Sequence, residues 1–195
     1  MAATKNDTRR VFCAIELPIL VREKISEHIR RLRETLPDST ASWVRPENIH
    51  LTLKFVGEIL QGRVKDLTQA ATNAVAGFSP FEIVIAEAGS FPRHGTPRVL
   101  WIGVNDYSSL LTQLQAKLDE ECLLLGFAKE TRTFNPHLTV ARLRKPQGAR
   151  TLATAHKEMG FDSTEIKVME ITVIRSELSS EGSNYSTISR HALAG

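Results

Sequence analysis

Apolar residues at helical spacing alternate with short apolar runs along this chain. The helical spacing occurs in four segments and predicts amphipathic helices over 18–36, 64–78, 108–125 and 149–159. Short apolar or alternating runs predict strands over 11–15, 49–56, 81–86, 99–104, 137–143, 168–178 and 185–193. Because strands occur both singly between helices and as a terminal hairpin, the pattern favours an α+β fold with largely antiparallel pairing.

The composition is typical of a globular protein. The chain has 195 residues, of which 42% are hydrophobic and 24% charged, so we expect one domain spanning 1–195. The net charge of +3 is compatible with an anionic partner but does not identify one. Cys13 and Cys122 lie far apart in sequence, which indicates buried free thiols rather than a disulfide framework or a zinc site.

The N-terminal segment does not have the pattern of a secretion signal. The first ten residues are largely polar, and the apolar run that follows them is short. No later stretch reaches the roughly 18 apolar residues of a membrane helix. We therefore expect a cytoplasmic protein without membrane contact. The polar surface pattern has no heptad repeats, so we expect a monomer.

One tetrapeptide occurs twice in the sequence. His50-Leu51-Thr52-Leu53 recurs as His137-Leu138-Thr139-Val140, and each copy begins a predicted strand after a turn that contains proline. Residues two apart on a strand point to the same face, so each copy presents an imidazole and a hydroxyl side by side. If the two strands face each other, two imidazoles and two hydroxyls surround one small space.

Such a group of side chains suits the cleavage of a phosphodiester. In-line displacement needs a base to deprotonate water on one side of phosphorus and an acid to protonate the leaving oxygen on the other. Histidine suits both tasks because its ordinary pKa of about 6.5 lies near neutral pH. Each such proton transfer contributes roughly 10²–10⁴ in rate. The hydroxyls of Thr52 and Thr139 can donate to the non-bridging oxygens. The pattern alone does not say which histidine is the acid.

Two plainer interpretations compete with a shared site. Either histidine taken alone fits an ordinary residue near a strand start. Two identical settings, each with a threonine on the same face, favour a common function instead. A zinc site needs at least three protein ligands as a rule, and no cysteine pair or His/carboxylate cluster lies near either copy.

The two copies and their flanks resemble the 2H phosphoesterase superfamily, which is defined by two His-x-Thr-x motifs. Within it, the chain most resembles the RNA 2′,3′-cyclic phosphodiesterases, formerly named 2′-5′ RNA ligases, over nearly its whole length. Four segments carry the resemblance: 10–18 resembles the opening strand, 43–57 the first motif with its flanks, 97–101 the middle strand and 136–142 the second motif. A single His-x-Thr-x is weak evidence, whereas these flanks and their order make the match specific.

The resemblance implies a fold, a reaction and roles for the two histidines. The implied fold is bilobal, with two pseudo-symmetric lobes of mainly antiparallel sheet and outer helices around a central cleft. The implied reaction opens a terminal RNA 2′,3′-cyclic phosphate to a 2′-phosphomonoester. His50 is then the general acid for the 3′ oxygen, and His137 is the general base for water. No metal or cofactor is implied, and the expected partner is RNA or a small nucleotide.

Three further residues are weaker candidates for substrate binding. By resemblance, Phe12 near the start of the first strand can stack on the terminal base, although it also fits a core phenylalanine. Arg142 can hold phosphate through its guanidinium, but strict alternation puts it on the face opposite His137 unless the strand twists or bulges. Lys54 shares a face with His50 in a regular strand, so it is expected at the border of the cleft or in solvent.

Two other functions stay open at this level. One is an enzyme for another small phosphodiester, such as a 2′,5′-linked oligonucleotide, which it could hydrolyse or form, or a cyclic nucleotide-sugar phosphate. The other is a nucleotide-binding module that keeps the cleft without turnover. The presence of both histidines and both threonines argues against this second interpretation.

Overall fold

The computed structural model describes residues 8–37, 39–180 and 182–195, and within them it contains four α-helices, two single-turn 3₁₀ helices (Pro46–Asn48 and Gln61–Arg63) and nine strands. The helices are α1 (Ile19–Thr35), α2 (Val64–Val75), α3 (Leu110–Leu124) and α4 (Ala149–Met159). The strands are β1 (Thr8–Glu16), β2 (Ala41–Trp43), β3 (His50–Leu60), β4 (Phe81–Phe91), β5 (Val99–Asn105), β6 (His137–Leu143), β7 (Thr164–Val168), β8 (Glu170–Ser179) and β9 (Gly182–Ala192).

The strands form two antiparallel sheets. The first sheet has the order β3-β1-β8-β9, and the second has the order β2-β6-β5-β4-β7. All pairings within both sheets are antiparallel. Helices α2 and α3 pack against each other and against the first sheet, while α4 packs against the second sheet and contacts α1. The expected α+β class with antiparallel pairing is confirmed.

The path of the chain interlocks the two layers. Strand β1 of the first sheet leads into α1, which lies with the second sheet, where Lys24 bonds to Thr164 of β7. Strand β5 of the second sheet leads into α3, which lies against the first. Apolar side chains of both layers belong to one contiguous buried cluster. The two strands that begin with the repeated motif, β3 and β6, contact each other across the sheets.

Helix α1 illustrates how the hydrophobic pattern determines a helix and the face that it buries. Pro18 precedes the first turn, and its fixed φ suits that position. Val21, Ile25, Ile29 and Leu32 then recur every three or four residues, and all four are buried. The helix keeps within the predicted segment 18–36.

Some strand boundaries differ from the prediction. Strand β3 does not end at Gly57, as predicted, but continues to Leu60. Gly57 adopts φ +85° and pairs with Val11 beside a bulge, which bends the strand without ending its pairing with β1. Strand β2 was not predicted, since its three residues are too few to show an alternating pattern. The predicted strand over 168–178 is interrupted at Met169, where the chain passes from β7 in the second sheet to β8 in the first.

Cys13 and Cys122 are buried free thiols, as predicted. None of the helices within 8–37, 39–180 and 182–195 combines the length and the hydropathy of a membrane-spanning segment.

A pair of buried histidines joins α1 to α4. His156 donates from Nε2 to the carbonyl oxygen of Trp101 at 2.9 Å, because a carbonyl can only accept. Its Nδ1 is therefore an acceptor, and His28 donates to it from Nε2 at 2.9 Å. Burial lowers the pKa of both imidazoles, and for His28, whose pKa falls to about 4, the neighbouring His156 ring adds to the effect. Both rings are therefore neutral at pH 7.

We expect the folded state to lose stability as the pH falls from about 6.5 towards 4. In that range the unfolded chain protonates His28 at its ordinary pKa of about 6.5, whereas the folded chain resists protonation, so acid favours unfolding. His28→Leu should make the free energy of unfolding less dependent on pH. Urea denaturation at a series of pH values measures this, with each variant at about pH 7.5 as its own reference. An unchanged pH dependence in His28→Leu would contradict the assignment.

Candidate active site

A cavity of about 270 Å³ lies between the two sheets, and both copies of the repeated motif line it. His50 and Thr52 come from β3 of the first sheet, and His137 and Thr139 come from β6 of the second. The other lining residues include four aromatic side chains and two arginines, namely Phe12, Trp43, Phe55, Tyr185, Arg45 and Arg142. The structure therefore brings the four motif side chains together around one space.

Both imidazoles are held by the same kind of hydrogen bond. Nδ1 of His50 lies 2.7 Å from the carbonyl oxygen of Asn48, and Nδ1 of His137 lies 2.7 Å from that of Asn135. Because a carbonyl only accepts, each ring carries a proton on Nδ1, and its Nε2 is left for another partner. The repeat thus extends two residues upstream, to Asn-x-His-Leu-Thr. The asparagine two residues before each histidine is visible in the sequence, but it was not predicted as part of the site.

A bulge in β3 changes which side chains face the cavity. Cys13 pairs with Lys54 but Ala14 pairs with Thr52, so Leu53 is an extra residue in the ladder. Alternation shifts at this point, and Leu53 and Lys54 are both buried. Phe55 consequently lies on the cavity side and is 45% exposed, although strict alternation predicts it in the core.

The expectation that Lys54 borders the cleft or lies in solvent is wrong. The bulge turns Lys54 towards α3, where the side chain is only 4% exposed. Its ammonium group donates to the Asp119 carboxylate and, at 2.8 Å, to the carbonyl oxygen of Ala128. The same carboxylate accepts the backbone N–H of Glu130 at 3.0 Å. Lys54 therefore ties the first motif strand to the segment that leads into the second motif.

Strand β6 has a bulge at the equivalent position. Leu100 pairs with Ala141 and Trp101 pairs with Thr139, so Val140 is the extra residue. Val140 and Ala141 are both buried, and Arg142 lies on the cavity side. Arg142 was expected to reach the cleft only if its strand twists or bulges. Strand β6 does bulge, and Arg142 lines the cavity.

Phe12 lines the cavity but is only 2% exposed. Its ring stacks on the imidazole of His50 with a centroid distance of 4.7 Å and an interplanar angle of 28°. The ring of Tyr185 meets both of them edge to face, at 5.1 Å from Phe12 and 5.3 Å from His50. Phe12 thus fits the core interpretation, in that it supports His50 and leaves no open ring face for a base. Tyr185, from the terminal hairpin, was not predicted.

The second imidazole also rests on aromatic side chains. Phe91 meets His137 edge to face at 5.1 Å, and its other neighbour is Trp101 at 5.3 Å. The indole of Trp101 lies directly on Gly89, where a Cβ would stand 2.3 Å from a ring carbon. Glycine at this position therefore allows the indole to lie close to the sheet and to support Phe91.

The electrostatic setting of His50 favours its neutral form in the protein alone. Burial lowers the pKa of its imidazole below the ordinary value, while the hydrogen bond to Asn48 and the Glu16 carboxylate act in the opposite direction. An anion in the cavity would add a further charge that favours the imidazolium. The protonation state of His50 is thus sensitive to an anionic ligand.

The β8–β9 hairpin closes one side of the cavity. Gly182 and Ser183 belong to its lining. The carbonyl oxygen of Ser183 accepts hydrogen bonds from the side chains of Asn48, at 2.7 Å, and Arg45, at 3.1 Å. Asn48 therefore holds His50 through its carbonyl and the hairpin through its amide.

Nowhere in the described ranges do three or more His, Cys, Asp or Glu side chains cluster in a way that could hold a metal ion.

Comparison with known proteins identifies related sequences. Residues 21–179 match the 2′-5′ RNA ligase superfamily. The chain is 35% identical to the RNA 2′,3′-cyclic phosphodiesterase of Methanothermobacter thermautotrophicus over 179 residues, which cover 90% of this chain and 94% of the relative. It is 30% identical to the Escherichia coli protein of that name over 188 residues, which cover 96% of this chain and 98% of the relative.

Solved structures of similar proteins share the fold. Escherichia coli LigT complexed with 3′-AMP has a TM-score of 0.76 at 26% identity, over 96% of this chain and 99% of that chain. The MHV ns2 PDE domain has a TM-score of 0.56 at 14% identity, over 86% of this chain and 99% of that domain, and it bears on the fold alone. The fold expected from the sequence resemblance is confirmed.

We expect Lys54→Met to destabilise the protein by about 3–5 kcal/mol, because it leaves the Asp119 carboxylate buried without its cation. The double variant Lys54→Met/Asp119→Asn should recover part of this loss, since asparagine can still accept the Glu130 N–H without a buried charge. Urea denaturation measures the free energy of unfolding. Lys65→Met, which changes an exposed lysine on α2, serves as the control. A loss below about 1 kcal/mol in Lys54→Met would contradict the buried ion pair.

We expect inorganic phosphate to raise the pKa of His50. In the protein alone this pKa lies below the ordinary value because the ring is buried, and an anion in the cavity favours the imidazolium. Titration of the ring Hε1 signal by NMR, assigned with His50→Gln, measures the change. His191 is the internal control, because burial also lowers its pKa but its hydrogen bonds go to Thr72 and Ser189 rather than to the cavity. Equal shifts of both signals, or no shift of His50, would contradict an anion site.

Proposed function

Because this chain belongs to the 2′-5′ RNA ligase superfamily, whose members include its RNA 2′,3′-cyclic phosphodiesterase relatives, we propose that it hydrolyses the terminal 2′,3′-cyclic phosphate of RNA to a 2′-phosphomonoester. One observation carries the proposal beyond family membership. Two imidazoles with matched Nδ1 anchors and two threonine hydroxyls line a single cavity between the sheets. This is the set of groups that in-line displacement at phosphorus requires.

Each histidine has one proton to move in the proposed reaction. His137 takes a proton from water at Nε2 as the water oxygen bonds to phosphorus. The bond between phosphorus and O3′ breaks, and His50 donates its Nε2 proton to O3′. The products are a 2′-phosphomonoester and a 3′-hydroxyl group. His50 ends neutral and His137 ends protonated, so the pair is restored by proton exchange with solvent. The choice of His50 as the acid follows the family resemblance.

The transition state adds negative charge to the non-bridging oxygens, and three side chains are available to stabilise it. The hydroxyls of Thr52 and Thr139 line the cavity beside the two imidazoles. Arg142 reaches the same space because of the bulge at Val140 and supplies a permanent positive charge. Donors held in place before the reaction stabilise this charge without reorganisation. We propose that no metal ion is needed.

The lowered pKa of His50 is compatible with its proposed role as the acid. The neutral form that burial favours cannot protonate O3′. The cyclic phosphate carries a negative charge, and its arrival raises the pKa of His50. Substrate binding and protonation of the acid are thus coupled, because each favours the other.

We also propose that the cavity binds a single nucleotide. A volume of about 270 Å³ is just below the range of roughly 300–1,000 Å³ that is typical of small-molecule sites. The solved complex of Escherichia coli LigT with 3′-AMP supports a ligand of this size. Phe55 offers an exposed aromatic ring at the cavity and is the candidate for stacking on the terminal base. Phe12 supports the His50 imidazole instead.

We expect His50→Ala and His137→Ala each to lower kcat by about 10²–10⁴ while the protein stays folded, because each removes one proton transfer. Adenosine 2′,3′-cyclic phosphate is incubated with the enzyme in EDTA, and the products are separated to identify 2′-AMP or 3′-AMP. His94→Ala, in the loop between β4 and β5 and outside the cavity lining, is the matched control and should keep full activity. Near-normal turnover by folded His137→Ala would exclude the mechanism.

The same assay separates the proposal from the alternative functions. Formation of 2′-AMP supports it, and formation of 3′-AMP contradicts the assigned leaving oxygen. Cleavage or formation of 2′,5′ bonds without action on the cyclic phosphate would identify a different phosphodiester substrate. Binding of the nucleotide without any turnover would identify a nucleotide-binding module. Activity that is lost in EDTA and restored by a divalent metal would contradict metal-independent catalysis.

A further inference from the structure

A second concave surface lies next to the catalytic cavity. It is a groove of about 870 Å³ between α1 and the segment 39–46, and it is larger than the 270 Å³ cavity. On the α1 side, its lining residues recur every three or four positions and so lie on one face of the helix. They are Ser26, Ile29, Arg30, Arg33 and Glu34.

The groove joins the catalytic cavity along one short stretch of chain. Trp43, Val44 and Arg45 line both spaces. Trp43 is the last residue of the edge strand β2, and Val44 and Arg45 follow it, before the turn that leads to Asn48 and His50. A polymer that leaves the cavity past Arg45 therefore meets the groove next.

The groove has a positively charged rim around an apolar floor. Three arginines line it, namely Arg30, Arg33 and Arg45, and among the lining residues that the structure describes Glu34 is the one carboxylate. The floor includes Ile29 and the half-buried side chain of Trp43, which pack with the hydrophobic core. Guanidinium groups beside an accessible aromatic ring are the usual elements of a surface that binds single-stranded nucleic acid.

The three arginines differ in the hydrogen bonds and ion pairs that they already make within the protein. Arg30 is held by Glu27 and Glu34 on α1. Arg45 donates from Nη2 to the hairpin, at Ser183 and Asn184. Arg33 is exposed and has no hydrogen bond or ion pair to another described residue. Arg33 is therefore the guanidinium most available to an anionic ligand.

We propose that this groove binds the RNA nucleotides on the 5′ side of the terminal cyclic phosphate. The inference rests on the proposed function, because it assumes that the terminal nucleotide occupies the catalytic cavity. The cavity holds a ligand of about one nucleotide, so the remainder of an RNA chain must lie outside it. The groove offers a continuous path, complementary charge for backbone phosphates and Trp43 for stacking.

The test compares a substrate that fills only the cavity with one that also reaches the groove. Adenosine 2′,3′-cyclic phosphate is the first, and a short oligoribonucleotide with a 2′,3′-cyclic phosphate end is the second. Arg33→Ser should raise KM for the oligonucleotide by about threefold or more and leave both kcat and KM for the mononucleotide unchanged. The slope of log(kcat/KM) against log[salt] for the oligonucleotide should become less steep by about 0.7, as for one lost phosphate contact. Arg33→Glu should enlarge the KM effect.

Arg31→Ser is the matched control, because Arg31 is also an exposed arginine of α1 but lies outside the groove lining. It should leave the kinetics with both substrates unchanged. The proposal would be overturned if Arg33→Ser kept the wild-type KM and salt slope for the oligonucleotide. It would also be overturned if Arg31→Ser raised this KM as much as Arg33→Ser does. If wild-type protein hydrolyses neither substrate, the proposed function fails while the groove is still tested by binding.

Binding is measured by fluorescence anisotropy of a labelled oligoribonucleotide ending in a 2′-phosphate, which does not depend on turnover. Arg33→Ser should weaken this binding, and Arg31→Ser should not. A polyglutamate peptide of matched charge should compete poorly with the RNA, because it has no bases to stack on Trp43. Equal competition by the peptide would assign the groove to acidic polypeptides and overturn the proposal.

Discussion

Two hydrogen bonds from imidazole nitrogens to backbone carbonyls determine what the cavity can do. Asn48 and Asn135 each hold the histidine two residues downstream through Nδ1, at 2.7 Å. A backbone carbonyl has no other role than acceptor and carries no charge that varies with pH. Both rings therefore keep the same tautomer and leave Nε2 for the proposed reaction. Proton uptake at one Nε2 and proton release at the other need no change in these two anchors.

The bulges that follow both motifs make the pseudo-symmetric halves chemically different. In each strand the residue after the threonine is extra, so the third residue after the threonine lies on the cavity side. That residue is Phe55 in one half and Arg142 in the other. The same backbone irregularity thus brings an aromatic ring to one lobe and a cation to the opposite lobe. A nucleotide, with a base and a phosphate, suits such a pair.

Charge and burial act together around His50. Phe12 and Tyr185 enclose its ring, and the resulting burial lowers the pKa of the imidazole. The arginines around the cavity and the groove favour an anionic ligand, whose charge in turn favours the imidazolium. The hairpin that carries Tyr185 is tied to Asn48, so the groups that enclose His50 and the group that orients it form one connected unit.

The sequence by itself determined the helices, most strands, the α+β class and the two motifs, because hydrophobic periodicity and short-range spacing are local properties. It also indicated that His50 and Thr52 share a face, which needs only the alternation of one strand. The tertiary structure decided the positions of Lys54, Phe55 and Arg142, because a bulge depends on the partner strand and reverses alternation from that point onward. It likewise decided that Tyr185 belongs to the site and that Trp43 joins two concave surfaces, since these contacts bring together segments that lie far apart in the sequence.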